Sequence, residues 1–163
     1  MREDMNMSKK DIFILAALIA LCESVGFVGS LFTSPAIPVW YASLIKPSFT
    51  PPSWIFAPVW TALYAMMGVS LFLILRQRSS FRIRGAVISF SAQLFLNLLW
   101  SPAFFGMRSP LLGFIVIIPL LIAIALTIAI FHPISRKAAY LLIPYLAWVA
   151  FASMLNYSIM RLN

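Results

Sequence analysis

Residues 110–131, PLLGFIVIIPLLIAIALTIAIF, contain no charged side chain. As a helix, a run of about 20 apolar residues crosses a hydrocarbon core of about 30 Å. Working outward, comparable segments lie at about 12–32, 54–75, 85–105 and 138–160, which makes five with 110–131. In lipid every backbone polar group must be satisfied within the protein, so a spanning segment is a helix or part of a closed barrel. A barrel strand would alternate polar and apolar residues, and these runs do not. The fold class is therefore all-α: a five-transmembrane-helix bundle forming one domain over residues 1–163.

Composition agrees. Of the 163 residues, 63% are hydrophobic and 10% charged, against about 25% charged in a soluble domain. The net charge of +8 resides at the ends of the apolar runs, where it anchors helices, and forms no basic face for nucleic acid. With N- and C-termini on opposite sides, Arg2, Lys9, Lys10, Arg76, Arg78, Arg82, Arg84, Arg136 and Lys137 share one side. Only Lys46, Arg108 and Arg161 lie on the other. Nine cations against three place the N-terminus in the cytoplasm, in a bacterial cell membrane or, with the labels changed, an outer membrane. The first run is too long for a cleaved signal peptide and lacks a small-x-small site.

The longest connection, residues 33–53, runs into the second span through Trp40, Tyr41, Lys46, Pro47, Pro51, Pro52, Trp54, Pro58, Trp60 and Tyr64. Prolines preset φ and restrict the preceding residue, so this stretch is expected to be a stiff lid rather than a flexible linker. Beneath it, Gln93, Asn97 and Trp100 follow i, i+4, i+7 spacing on one face of the third span. Such amides are either interhelical glue or a polar anchor in a ligand pocket. Trp60 and Tyr64 are i, i+4 on the second span, and Tyr145, Trp148, Ala152 and Asn156 follow helical spacing on the fifth. Trp60 and Trp148 lie inside their spans beside Pro58 and Pro144, which are expected to bend the helices around a cavity. Aromatic rings under a rigid lid suit a flat apolar ligand.

Glu23 is the one acid deep in a span. It is read either as a proton-coupled transport site or as a carboxyl kept neutral by burial and hydrogen-bonded to a neighbouring helix. Around it Cys22, Gly26 and Ser30, with Gly29, form a row of small residues for close helix approach, within the bundle or across a dimer. Gly85 and Ser89 begin a weaker row. One cysteine and one histidine, His132, offer no metal site, and no nucleophile–base set or phosphate loop is present. Leu155, Tyr157 and Arg161 fit the permissive Leu/Val–Tyr–Lys/Arg pattern proposed for sterol contact.

Taken together, these blocks resemble the TspO/translocator protein family, also called tryptophan-rich sensory proteins or peripheral-type benzodiazepine receptors. The resemblance rests on Ser24–Ser30, on Trp40-Tyr41 through Lys46-Pro47, and on Pro51-Pro52, Trp54, Pro58, Trp60 and Tyr64. It extends through Gln93, Asn97, Trp100, Pro102 and Phe104-Phe105-Gly106 to Pro144-Tyr145, Trp148, Phe151-Ala152 and Leu155-Asn156-Tyr157. It implies a homodimer of five-helix bundles, a pocket beneath the first loop, and binding of porphyrins such as protoporphyrin IX or of cholesterol. Carried over by position, Tyr41, Pro51, Trp54, Trp60, Asn97, Trp100, Trp148 and Ala152 line that pocket, and Leu155, Tyr157 and Arg161 touch lipid or sterol. Light-dependent porphyrin breakdown, attributed to bacterial relatives, would use Trp60 and Trp148. Two departures stand out: Glu23 replaces a small or neutral residue, and Thr33–Pro38 carries no acid.

The leading expectation is a membrane binding or sensory protein for tetrapyrroles. It needs no resident cofactor, takes porphyrin as ligand, and has membrane lipid and a second copy of the chain as partners. Trp60 and Trp148 would stack on the ring, Gln93 and Asn97 supply polar contacts, and Lys46 pair with a propionate. The alternatives are a light-dependent porphyrin-degrading enzyme and a proton-coupled transporter using Glu23.

Overall fold

The computed structural model describes residues 7–77 and 80–163; Arg2 and Arg78, counted in the charge asymmetry, lie outside the described residues. Among the described residues, five helical spans are long and apolar enough to cross a membrane. Helix α1 (Lys9–Ala36) packs on α2 (Phe56–Leu75) and α3 (Ser80–Ser101). Helix α4 (Pro110–Phe131) packs on α3 and α6 (Ile143–Leu162), and the short α5 (Arg136–Leu141) on α2, closing the ring.

Local chemistry sets where these helices start. Ser8 and Asp11 form a capping box: the Ser8 hydroxyl accepts from the Asp11 N–H and the Asp11 carboxylate from the Ser8 N–H, each at 3.1 Å. Ser109 and Ser135 cap α4 and α5 by accepting from the N–H groups of Leu112 and Ala138. Pro58 and Pro144 both fall in the first turn of their helices, where a missing N–H removes a donor that has no intrahelical partner anyway. Pro58 therefore marks the entry to α2, after a 3₁₀ turn over Ser53–Ile55, rather than bending it. The fifth span is divided into α5 and α6 at Leu142, two residues before Pro144.

The expected lid over 33–53 is shorter than its prolines imply. Helix α1 runs through Pro35 to Ala36 and continues as a π-helical turn over Ile37–Tyr41, leaving residues 44–52 outside helix. Two effects override the local preference against helix before proline. Widening to a π turn accommodates Pro38. Burial of Ala36 and Tyr41 against Phe104, Phe105, Leu155 and Ile159 then holds the extension in place. Helix α3 ends the same way, in a π turn over Pro102–Gly106. The two turns interlock: Trp40 and Tyr41 meet Phe104 and Phe105 at ring-centroid distances of 5.4 to 6.4 Å.

The remaining loop is fixed by polar contacts. Lys46 Nζ donates to the carbonyls of Tyr41 (2.8 Å), Leu44 (3.0 Å) and Ala42 (3.3 Å) and sits 5.0 Å from the Tyr41 ring centroid. It thus caps the carbonyl end of the α1 extension, where a cation is favoured. The Asn163 amide accepts from the Ile45 N–H and donates to the Ile45 carbonyl, both at 3.0 Å, tying the loop to the end of α6.

In the other half of the bundle the core is solid. Met67, Ile74, Phe90, Ile117, Leu120, Ile124, Phe131, Ala138 and Leu142 are all buried. Ser70 donates to the Ala138 carbonyl, and the Ser89 and Thr127 hydroxyls share a bond, each at 2.8 Å. Ser89 therefore belongs to the α3–α4 contact. Small residues bring α1 against its neighbours within the bundle. A Cβ on Gly68 would stand 2.6 Å from the Ile19 Cα, and one on Gly26 2.5 Å from the Tyr64 ring.

Three variants test this packing. Gly68→Ala forces α1 and α2 apart and should lower stability by about 1–3 kcal/mol, read as an earlier thermal melt of the detergent-solubilised protein by circular dichroism. Gly85→Ala, where nothing lies within 4 Å of an added Cβ, should leave the melt unchanged or raise it slightly. Lys46→Met should accelerate amide hydrogen exchange across residues 42–50, because three carbonyls lose their donor; unchanged exchange there would refute the capping role.

Candidate functional site

The lid-bearing half of the bundle encloses a cavity of about 490 Å³. One wall is a stripe of α1 that carries Glu23, Gly26, Ser30 and Ser34 and continues to Ile37 and Tyr41 on the π turn. Helix α2 contributes Phe56, Trp60 and Tyr64; α3 and its π turn contribute Asn97, Trp100, Phe104 and Phe105; α6 contributes Ala152, Leu155 and Asn156. The rim residues Phe27, Ser34, Ala57 and Thr61 are exposed at the perimeter of the bundle, so the cavity opens sideways between α1 and α2.

Its floor is a hydrogen-bonded chain. The Tyr64 hydroxyl donates to Asn97 Oδ1 at 2.5 Å, and Asn97 Nδ2 donates to the Tyr145 hydroxyl at 2.8 Å. Asn97 is 5% exposed and Tyr145 fully buried, so α2, α3 and α6 are joined by bonds out of reach of water. A second relay lies closer to the lid. Trp100 Nε1 donates to Asn156 Oδ1 at 3.4 Å, and Asn156 Nδ2 donates to the Pro110 carbonyl at 2.7 Å. Gly113 on α4 makes room for it, because a Cβ there would lie 2.5 Å from the Phe104 ring and 2.8 Å from Asn156 Oδ1.

The aromatic lining is ordered by contact. Trp60 stacks on Tyr64 at 5.4 Å and 28°, and Trp100 on Phe104 at 5.4 Å and 22°. These pairs present ring faces suited to stacking with a flat ligand.

Of the residues singled out from sequence, Tyr41, Trp60, Tyr64, Asn97, Trp100, Ala152 and Asn156 converge on this cavity. Five others do not line it. Trp54 is 73% exposed, turned to the outer surface where tryptophan anchors a membrane interface. Pro51 is half-buried in the loop. Tyr145 lies below the floor and reaches the site through Asn97. Trp148 sits behind Phe56, whose ring meets it edge-on at 5.9 Å, and its indole N–H is buried without a partner. Gln93 is 1% exposed with both amide atoms unpaired, and nothing in the surrounding packing accounts for that. Spacing put it on the Asn97 face, but one turn of helix carries it below the cavity.

Leu155, Tyr157 and Arg161 do not share a surface. Leu155 lines the cavity, whereas Tyr157 and Arg161 are exposed and Tyr157 packs on Phe114; positions i and i+2 of a helix face apart.

Sequence reasoning missed Phe56, Thr61, Ser101 and most of the α1 stripe as lining residues. The stripe had a signal in the small-residue row from Cys22 to Ser30, read there as helix contact alone. Glu23 is half-buried, faces the cavity, and makes no hydrogen bond among the described residues, so the expected bond to a neighbouring helix is not formed. Lys46, expected to meet a ligand carboxylate, instead spends its donors on backbone carbonyls.

Comparison with known proteins agrees with this architecture. The sequence model of the TspO/MBR family matches residues 18–162. The tryptophan-rich protein TspO of Chlorobaculum tepidum is 48% identical over 155 residues, covering 94% of this chain and 98% of its own. The tryptophan-rich protein TspO of Archaeoglobus fulgidus is 45% identical, with 98% and 99% covered. The human translocator protein is 41% identical over 148 residues, with 88% and 86% covered. The chain is an integral, multi-pass membrane protein and belongs to the TspO/MBR family.

Proposed function

We propose that the lid-end cavity is a binding site for flat, largely apolar aromatic ligands of the tetrapyrrole class, with protoporphyrin IX the representative. The observation that carries this reading is the cavity itself. Its volume of about 490 Å³ falls within the 300–1,000 Å³ of small-molecule sites. Its walls present the Trp60–Tyr64 and Trp100–Phe104 stacks. Asn97 and Asn156 add a sparse polar lining, their amides held in place by bonds within the bundle.

Binding follows from the geometry in two steps. A lipid-soluble ligand enters between α1 and α2, where the rim is exposed at the perimeter. Its ring then displaces water from the aromatic walls, gaining burial plus about 0.5–1.5 kcal/mol for each ring contact. Ionised side chains of the ligand stay at the open rim, since no cation lines the cavity among the described residues.

The role is that of a binding or sensory protein rather than an enzyme. Among the described residues no nucleophile–base pair faces the cavity, and Trp148, one of the two tryptophans a photo-oxidative step would use, is not in its lining and packs edge-on against Phe56. The charge asymmetry supports a cytoplasmic N-terminus.

Titration with protoporphyrin IX should quench the intrinsic tryptophan fluorescence of the purified protein saturably. Trp60→Ala and Trp100→Ala should each weaken binding about tenfold, which is about 1.4 kcal/mol. Trp148→Phe should change affinity by no more than about twofold. Equal losses at all three positions would move Trp148 into the site, and no loss at Trp60 would remove the cavity from it.

A further inference from the structure

Among the described residues lining the cavity, Glu23 is the only acidic or basic side chain. Among the described residues no cation lines the cavity beside it. The lid cation, Lys46, is committed to the carbonyls of Tyr41, Ala42 and Leu44 at the far end of the α1 extension. The hydroxyl groups nearest along the α1 stripe are also spent, Ser30 donating to the Phe27 carbonyl and Thr33 to that of Gly29. The Tyr64 hydroxyl donates to Asn97. Glu23 therefore offers an acceptor to the cavity, and no described residue donates a hydrogen bond to it.

The acid also has an aromatic face at hand. Gly26, one turn along α1, lacks the Cβ that would strike the Tyr64 ring, so the Trp60–Tyr64 stack approaches the α1 wall beside Glu23. A carboxylate next to a tryptophan–tyrosine stack is the arrangement that recognises an organic cation. The carboxylate takes the N–H of the cation in a charge-assisted bond, and the ring faces attract its positive charge. A ligand bearing only carboxylates meets no such partner here.

We propose that this cavity selects flat aromatic amines that are cationic at neutral pH, the protonated nitrogen bonded to Glu23 and the ring laid against the Trp60–Tyr64 stack. The proposal rests on the reading of the cavity as the ligand site and adds to it a second class of ligand, of opposite charge to a porphyrin propionate.

The test uses the full chain in phosphatidylcholine nanodiscs, titrated with 9-aminoacridine, a cation at neutral pH, and with acridine, its neutral analogue. Binding is read by quenching of tryptophan fluorescence, with empty nanodiscs as the blank. The native protein should prefer the cation by about tenfold or more, the worth of one hydrogen bond to a charged group. Glu23→Gln should reduce that preference to about twofold, and Glu23→Asp should keep most of it; circular dichroism melts check that both variants fold. Equal affinity for the two acridines, or a preference that survives Glu23→Gln, overturns the assignment. A parallel protoporphyrin IX titration separates the two readings. Saturable porphyrin binding without amine selectivity sinks this inference alone, whereas loss of all binding sinks the cavity as the ligand site.

Discussion

One amide organises this bundle. Asn97 accepts from Tyr64 on α2 and donates to Tyr145 on α6 while itself belonging to α3, so three of the five spans meet at a single side chain. Within a membrane each such bond contributes little, about 0.6 kcal/mol on average, because an unfolded helix in lipid also finds partners. Its larger effect is on geometry. The two phenols must meet the oxygen and the nitrogen of one planar amide, which fixes the depth and rotation of three helices together. On one side of that amide the bundle fills with Met67, Phe90, Ile117 and Ile124; on the other it stays open.

What keeps the open half from collapsing is a frame of aromatic rings at its far end. The π turns after α1 and α3 set Trp40 and Tyr41 against Phe104 and Phe105, and Lys46 and Asn163 fasten the loop above them. Each π turn carries a proline near its start, Pro38 and Pro102. Proline lacks the donor a tight helix would demand, and the wider turn accommodates that lack. The frame is held by its interlocked rings and by the Lys46 and Asn163 bonds above them.

Much of this was legible in the residues. The span at 110–131 coincides with α4, because an uninterrupted apolar run has no other way to satisfy its backbone in lipid. The convergence of Trp60, Tyr64, Asn97, Trp100, Ala152 and Asn156 followed from helical spacing plus the resemblance. The lid boundary was misplaced because proline rules are local. They record what Pro35 and Pro38 cost the chain and are blind to the burial of Ala36 and Tyr41 that compensates. Gln93 and Trp148 lie outside the cavity lining for a related reason. Spacing gives the face of a helix but not its depth, and a ring such as Phe56 packed against Trp148 leaves no trace in periodicity. Glu23 was visible as an anomaly, yet its lack of a partner among the described residues is a three-dimensional fact.

The contact of Gly68 with Ile19 has a mechanical meaning. There the backbone of α1 lies against α2 with no side chain between them, and farther along the same two helices supply walls of the cavity. The spacing of those walls is therefore referred to a contact that lies outside the cavity. A methyl group added at Gly68 displaces one wall relative to the other without touching the lining.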